Sequence, residues 1–195
     1  MPHILCPHWA GYLLVNPLRK LLQNPDRILS PFVARGMTAL EVGPGMGFFT
    51  LPLARMVGPC GRVVCVDVQE KMLQSLQKRA RRAGVADRIL TRPCEATSLG
   101  VGDLGGRMDF ALAFAVIHEV PDIARLLAEI AKALKPGARC LAAEPKMHVS
   151  AQEFEQNLAM AAQHGPQLVD RPRIARCHAA LFRRAGEGLA ADGDV

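Results

Sequence analysis

The feature that most constrains the fold is a glycine-rich turn at residues 41–47, Glu-Val-Gly-Pro-Gly-Met-Gly, which joins an apolar run at 37–40 to a helical pattern. Three glycines at alternate positions leave one edge of the turn without side chains, so its backbone N–H groups can approach a ligand closely. Glu41 opens this segment, and a second carboxylate, Asp67, closes the next apolar run at 62–66. A glycine turn followed by a strand-end acid is typical of sites that hold an adenosine, because the acid accepts hydrogen bonds from both ribose hydroxyls.

Apolar runs of strand length alternate with helical patterns, which predicts an α/β fold with a doubly wound, Rossmann-like and mainly parallel sheet. The predicted strands are 38–42, 62–66, 88–91, 108–116 and 138–143. The predicted helices are 17–23, 48–57, 69–83, a helix that Asp122 caps and Pro136-Gly137 ends, and 150–164, which opens on a capping box. Two last runs, 167–171 and 176–183, have little helix between them and predict an antiparallel hairpin.

The chain divides into three segments on the same patterns. Residues 1–36 hold several prolines and the first helical pattern, and Trp9 and Tyr12 there would either cover the site as a lid or pack against the domain. Residues 37–184 carry the alternating strands and helices. Residues 185–195 have no apolar periodicity and predict a flexible tail.

Composition excludes several classes of protein. Half of the residues are hydrophobic and 22% are charged, which excludes a wholly disordered chain. The net charge of +6 is spread along the sequence, so a solvated basic surface explains it without nucleic acid. None of the six cysteines forms a Cys-x-x-Cys pair, which favours free thiols in a reducing, cytoplasmic location. No signal peptide and no uncharged apolar run of about 18 residues are visible, so the sequence predicts no membrane span, and it leaves the oligomeric state open.

Ligands of doubly wound sheets bind beyond the carboxyl ends of the strands, where the strand order reverses. That rule brings strand-end residues from distant parts of the chain to one cleft. They are residues 43–47, Asp67, Cys94, Glu95, Phe114 and Glu144.

Four sequence blocks in order carry a resemblance to a known family. They are Leu-Glu-Val-Gly-Pro-Gly-Met-Gly, Val-Val-Cys-Val-Asp-Val, Asp-Phe-Ala-Leu-Ala-Phe-Ala-Val-Ile-His-Glu-Val and Leu-Lys-Pro-Gly-Ala-Arg. Together they resemble the class I S-adenosylmethionine-dependent methyltransferases over residues 37–184. The resemblance implies a seven-stranded sheet whose last strand to enter is antiparallel, S-adenosylmethionine as cofactor, and methyl transfer to an acceptor.

The resemblance also assigns cofactor-binding positions. Those around the methionine part are Glu41, Gly43, Gly45 and Gly47. Asp67 is the ribose acid, and the positions near the adenine are Val68, Gln69, Cys94 and Glu95. The Pro-Cys-Glu-Ala string around Cys94 departs from the Gly-Asp-Ala type that the family often has. Phe114 lines the cofactor pocket at the end of the fourth strand.

His118 follows Phe114 and is the candidate catalytic residue. A histidine there could act as a general base, contact the substrate or cap a turn. No cluster of acidic or amide side chains predicts a metal site. The segments left to shape an acceptor pocket, 1–36 and 146–172, are short, which favours a small-molecule acceptor over a macromolecule.

Two other functions stay open at this stage. A non-catalytic member would keep the fold as a module that binds S-adenosylmethionine. A nicotinamide-dependent dehydrogenase would also need a glycine turn and a strand-end acid, but its third glycine comes three residues after the second, where Phe48 stands here.

Overall fold

The computed structural model describes residues 19–162 and 166–186. Trp9, Tyr12 and most of the predicted tail lie outside these residues. The strands are β1 (Thr38–Val42), β2 (Arg62–Asp67), β3 (Ile89–Pro93), β4 (Met108–Phe114), β5 (Leu134–Pro145), β6 (Pro166–Asp170) and β7 (Cys177–Arg184). The helices are α1 (Arg19–Leu22), α2 (Pro25–Leu29), α3 (Thr50–Val57), α4 (Glu70–Arg82), α5 (Ile123–Ala133) and α6 (Ala151–Ala162).

The seven strands form one sheet in the order β3-β2-β1-β4-β5-β7-β6. The first five in that order are parallel, and β7 runs antiparallel to both β5 and β6. The predicted doubly wound sheet with an antiparallel hairpin strand is therefore confirmed. The strand order reverses between β1 and β4, so their carboxyl ends open a crevice at the switch point.

Both faces of the central strands are buried, as expected for parallel strands with crossover helices, whereas the edge strands β3 and β6 are largely half-buried or exposed. Alternate residues of β1 point to opposite faces, with Leu40 and Val42 in the core beside α5 and α6, and Ala39 in the core beside α2, α3 and α4. The helices α4 and α5 bury one apolar stripe each, Met72, Leu73, Leu76 and Ala80 in α4 and Leu126, Leu127, Ile130, Ala131 and Ala133 in α5.

The predicted helix caps are present. Asp122 accepts a hydrogen bond from the Arg125 N–H at 2.9 Å. Ser150 and Glu153 form the reciprocal capping box, since the Ser150 N–H donates to Glu153 at 2.8 Å and the Glu153 N–H donates to the Ser150 hydroxyl at 3.2 Å. One helix was not predicted: α2 begins at Pro25 because Asn24 caps its first turn.

Several predicted boundaries were wrong. The helix predicted from residue 48 begins at Thr50, and the strand predicted to reach residue 116 ends at Phe114, because Ala115 has φ 57° and cannot continue a strand. The strand predicted at 138–143 begins at Leu134, which pairs with Met108 of β4. Pro136-Gly137 therefore lies inside β5 rather than in a turn after α5.

Candidate functional site

A cavity of about 920 Å³ lies beyond the carboxyl ends of β1, β2 and β4. The glycine turn, the loops after β2, β3 and β4, and the residues after β5 form its walls. The predicted site residues that line it are Glu41, Gly43, Gly45, Asp67, Val68, Gln69, Cys94, Glu95, Phe114 and His118.

The three glycines of the turn have different surroundings, although all have positive φ. A Cβ on Gly43 would come within 2.5 Å of Val116 Cγ2, and a Cβ on Gly47 within 2.4 Å of Leu76 Cδ1, so these two glycines allow close internal packing. Gly47 accordingly lies outside the cavity lining. A Cβ on Gly45 would meet no atom within 4 Å, so this glycine leaves open space at the cavity wall.

Asp67, at the end of β2, is tied to both neighbouring loops. Its Oδ1 accepts from the Gln69 N–H at 2.8 Å, and its Oδ2 accepts from the Gly45 N–H at 3.3 Å. Burial raises the pKa of Asp67, and these two backbone hydrogen bonds partly oppose the rise. The carboxylate is thus held rigidly at the cavity wall, beside the glycine turn.

Glu41 is buried at the end of β1. Among the described residues, no cationic side chain pairs with it, and the Cys65 thiol contacts its Oε2 at 3.9 Å. Burial raises the pKa of Glu41 to about 7. The Thr50 hydroxyl partly offsets this rise, although its buried oxygen has no hydrogen-bond partner of standard geometry in the described part of the chain.

The loop after β3 closes the side of the cavity next to Asp67. The Cys94 N–H donates to the Asp67 carbonyl at 3.1 Å, and burial raises the pKa of the Cys94 thiol to about 11, so it is neutral near pH 7. Glu95 pairs with Ser98 through a backbone hydrogen bond of 3.1 Å and is exposed at the cavity rim. Cys94 and Glu95 therefore line the same cavity as Val68 and Gln69.

Aromatic rings form the wall between the glycine turn and β4. The rings of Phe49 and Phe114 lie 4.3 Å apart, and those of Phe48 and Phe49 lie 5.1 Å apart, edge to face. The Arg19 guanidinium stands 4.3 Å above the Phe48 ring and donates to Gln23 at 2.8 Å. The helix α1 thereby contributes to the cavity wall.

At the β4 and β5 end, His118 contacts a fully buried carboxylate, Glu144, through its Nδ1. The hydrogen bond to Glu144 is the main cause of a raised His118 pKa, burial opposes it, and the negative charges of Glu144 and Glu119 add to it. His148, from the segment after β5, stacks on His118 with 5.2 Å between ring centroids. The sequence named His118 and Glu144, but no local pattern indicated Arg19, Met147 or His148 in the cavity lining.

The residues of this cavity fit the cofactor that the resemblance implies. Two buried carboxylates, Glu41 and Asp67, neither of them ion-paired within the described chain, lie beside a turn whose Gly45 leaves room for a ligand. Anionic walls of this kind suit a ligand with positive charge and ribose hydroxyls. In the described ranges, no three His, Cys, Asp or Glu side chains meet in a way that could hold a metal ion, and no helix has the length and apolar character needed to cross a membrane.

Comparison with known proteins gives consistent findings. Residues 40–142 match the family model described as a methyltransferase domain. The ubiquinone/menaquinone biosynthesis C-methyltransferase UbiE of Enterobacter sp. (strain 638) is 32% identical over 112 residues, which is 57% of this chain and 44% of that protein. The chain thus matches less than half the length of this curated relative.

Solved structures share the whole fold. A SAM-dependent methyltransferase from Aquifex aeolicus superposes with a TM-score of 0.83 at 23% identity, over 93% of this chain and all of that one. A putative S-adenosyl-L-methionine-dependent methyltransferase from Methanococcus maripaludis gives 0.75 at 14% identity, over 93% of this chain and 95% of that one. At these identities the likeness shows the fold.

Proposed function

This chain belongs to the class I S-adenosylmethionine-dependent methyltransferases, and from that premise we propose that it transfers a methyl group from S-adenosylmethionine to a small-molecule acceptor. The observation that carries the proposal is one cavity with two different ends. Glu41, Gly45 and Asp67 form a cofactor end, and His118 stands at the other end, beyond β4. A dehydrogenase is set aside, because the matched family is a methyltransferase domain.

We assign the cofactor to the glycine end. Asp67 would accept from the ribose hydroxyls, and Glu41 would face the cationic methionine part, directly or through water. Val68, Gln69, Cys94 and Glu95 would surround the adenine. When bound, the cofactor supplies a sulfonium whose methyl carbon is already electrophilic, so the protein mainly orients the acceptor and excludes water.

The acceptor end favours a small molecule with an apolar ring. The cavity wall there is built from the exposed Met147 and the stacked rings of His118 and His148. Its relative from Enterobacter carries a name that places it in ubiquinone and menaquinone biosynthesis as a C-methyltransferase, which supports a ring compound as acceptor here. The free cysteines among the described residues are compatible with a reducing, cytoplasmic location, which stays a prediction.

Calorimetric titration with S-adenosylmethionine tests the cofactor half of the proposal. Asp67→Asn should weaken binding roughly 10- to 100-fold, because it removes a buried charged acceptor. Asp103→Asn is the matched control, since Asp103 is exposed and pairs with Arg92 at 2.8 Å outside the cavity lining. Absence of binding at millimolar cofactor, or equal affinities for the two variants, contradicts the assignment.

Formation of S-adenosylhomocysteine in the presence of phenols, hydroquinones and amines tests the catalytic half. Stimulation by one of these small molecules supports the proposal. Cofactor binding without turnover of any of these compounds contradicts the proposal and favours a binding module. Turnover only with protein or RNA also contradicts it and favours a macromolecular acceptor.

A further inference from the structure

Glu144 is the penultimate residue of β5 and is fully buried. Its Oε1 accepts two backbone hydrogen bonds from the segment after β4, from Val116 N at 3.1 Å and from Ile117 N at 2.8 Å. Its Oε2 contacts His118 Nδ1. One carboxylate therefore fixes both the backbone of this segment and the ring that it carries.

These contacts determine where the imidazole holds its proton. An ionised carboxylate only accepts hydrogen bonds, so Nδ1 carries the proton that faces Glu144. The neutral ring then keeps its lone pair on Nε2, the nitrogen farther from Glu144. His118 lines the cavity, and its side chain is 23% exposed, so the ring is reachable for an acceptor in the cavity.

The stacked His148 ring restrains His118 from a second direction. The two rings are within 12° of parallel, with their centroids 5.2 Å apart. A ring held by a carboxylate at one edge and by an aromatic face has little rotational freedom, and a catalytic base requires such restraint.

We propose that Glu144 is a positioning residue that holds His118 in its Nδ1–H form, so that His118 Nε2 removes a proton from the acceptor during methyl transfer. This inference rests on the proposed function and narrows its substrate class. The acceptor is then a compound whose nucleophilic oxygen, nitrogen or activated ring carbon carries a proton, rather than a thiolate or another soft nucleophile that needs no base.

The step balances in atoms and charge. The acceptor gives its proton to Nε2 and uses the electron pair that remains to form the bond to the methyl carbon. The electrons of the broken methyl–sulfur bond stay on sulfur, which becomes neutral. The His118 imidazolium, stabilised by Glu144, then releases the proton to solvent.

Among the described residues, Glu144 from β5 and Glu119 from its own turn raise the His118 pKa, and the His148 ring from the segment after β5 faces His118. Because Glu144 raises the His118 pKa, the base form appears only above the ordinary histidine value of about 6.5. The acid limb of the rate profile should therefore lie above that pH.

Heteronuclear NMR of the full chain without cofactor tests the proposal directly, with ring nitrogens labelled and His118 assigned through a His118→Gln variant. The neutral ring should show the Nδ1–H form and a titration midpoint above about 6.5. In Glu144→Gln the amide oxygen can still accept from Val116 and Ile117, while its NH₂ group faces Nδ1. The ring should then switch to the Nε2–H form, and its midpoint should fall.

Glu119→Gln is the matched control, because it removes a nearby carboxylate that does not contact Nδ1. In Glu119→Gln the titration midpoint of His118 should fall less than in Glu144→Gln, and the Nδ1–H form of the ring should persist. An Nε2–H ring in the wild-type chain overturns the proposal, whether or not Glu144→Gln folds. Equal falls in the two variants, without a switch in the ring's protonation site, also overturn it.

Kinetics with an accepted substrate give the second readout. Glu144→Gln should lower kcat at least tenfold, with little change in the KM for S-adenosylmethionine, and should abolish the acid limb assigned to His118. A normal kcat overturns the proposal. Since the NMR experiment needs no cofactor, its failure leaves the cofactor-binding test intact, and a chain that binds no cofactor leaves the ring assignment intact.

Discussion

Two glutamates are buried near opposite ends of the cavity, Glu41 in its lining and Glu144 behind His118, and they are stabilised in different ways. Glu144 accepts from two backbone N–H groups and contacts the His118 ring. Glu41 has, within the described chain, a thiol at 3.9 Å and the Thr50 hydroxyl beside it, and burial raises its pKa to about 7. Among the described residues, Glu144 therefore has hydrogen-bond donors and a histidine partner, and Glu41 has no cationic partner.

This difference separates internal scaffolding from ligand recognition. A buried carboxylate with its own donors costs little and fixes the groups that donate to it, as Glu144 fixes the segment from Val116 to His118. A buried carboxylate without a cation is unfavourable until a positively charged ligand arrives. We therefore propose that Glu41 faces the cationic methionine part of the cofactor.

The largest expected effect comes from Glu41→Gln. The folded chain keeps a proton on Glu41 up to about pH 7, whereas the unfolded chain releases it near 4.5. Stability should therefore fall as pH rises through this window, by roughly 3 kcal/mol from this group alone, and the variant should lack that fall. Urea denaturation at pH 5 and pH 8 without cofactor measures the difference.

The exposed Glu155 provides the control for Glu41. It pairs with Arg171 at the surface, where solvent screens the interaction. Glu155→Gln should therefore follow the wild-type pH dependence closely. If the stability of Glu41→Gln also follows the wild-type pH dependence, Glu41 is not an unpaired buried acid, and the contrast with Glu144 disappears.

A smaller effect is expected at the other end of the cavity, where His118→Ala should lower the stability that Glu41→Gln raises. The folded pKa of His118 is raised, so its contribution is fully present below the unfolded value of about 6.5 and is lost as pH rises through the folded value. His118→Ala should cost about 2 kcal/mol at pH 5.5, the range for a hydrogen bond to a charged group, and less at pH 9. Part of this loss of stability should persist at pH 9, because Glu144 Oε2 has lost its hydrogen-bond donor.

The same urea experiment at the two pH values checks this prediction. Glu41→Gln gains stability where Glu41 is charged, and His118→Ala loses stability where His118 is charged. A loss that does not change between pH 5.5 and pH 9 would show that the ring only fills space, and it would remove the distinction between a paired and an unpaired charge.

The sequence was sufficient to bring Gly43, Gly45, Glu41 and Asp67 to one cavity, because the signals for these residues are local. The glycines of 43–47, Glu41 and Asp67 all lie within a few residues of a strand end, and parallel strands bring such ends to one edge. The pairing of Glu144 with His118 depends instead on how β5 lies against β4, where Phe114 is opposite Ala143. The topology predicts that Glu144 and His118 lie at the same edge of the sheet, but only the register of β5 against β4 shows that they are in contact.

Long-range pairing also explains the errors. Pro136-Gly137 reads as a helix stop, yet β5 begins before it, since Leu134 pairs with Met108 and the register shifts between Met108 and Phe110. The position of Arg19 above Phe48 depends on how the chain before β1 returns to the cavity, and no periodic pattern encodes that return. Local propensity thus predicted the elements, while tertiary contacts set their ends and the position of Arg19 in the cavity wall.

The smallest expected change in stability comes from Gly45→Ala. This substitution tests whether the turn beside Gly45 is shaped for a ligand. Alanine at φ 54° costs about 1 kcal/mol, and its methyl group meets no protein atom within 4 Å. Gly84 has φ 67° and equally open surroundings, but it follows α4 outside the cavity lining. Thermal denaturation should therefore show similar losses for Gly45→Ala and Gly84→Ala, while calorimetry shows at least tenfold weaker S-adenosylmethionine binding for Gly45→Ala alone. Equal affinities would mean that the open space beside Gly45 is not where the ligand approaches the turn, and that the glycine serves the backbone alone.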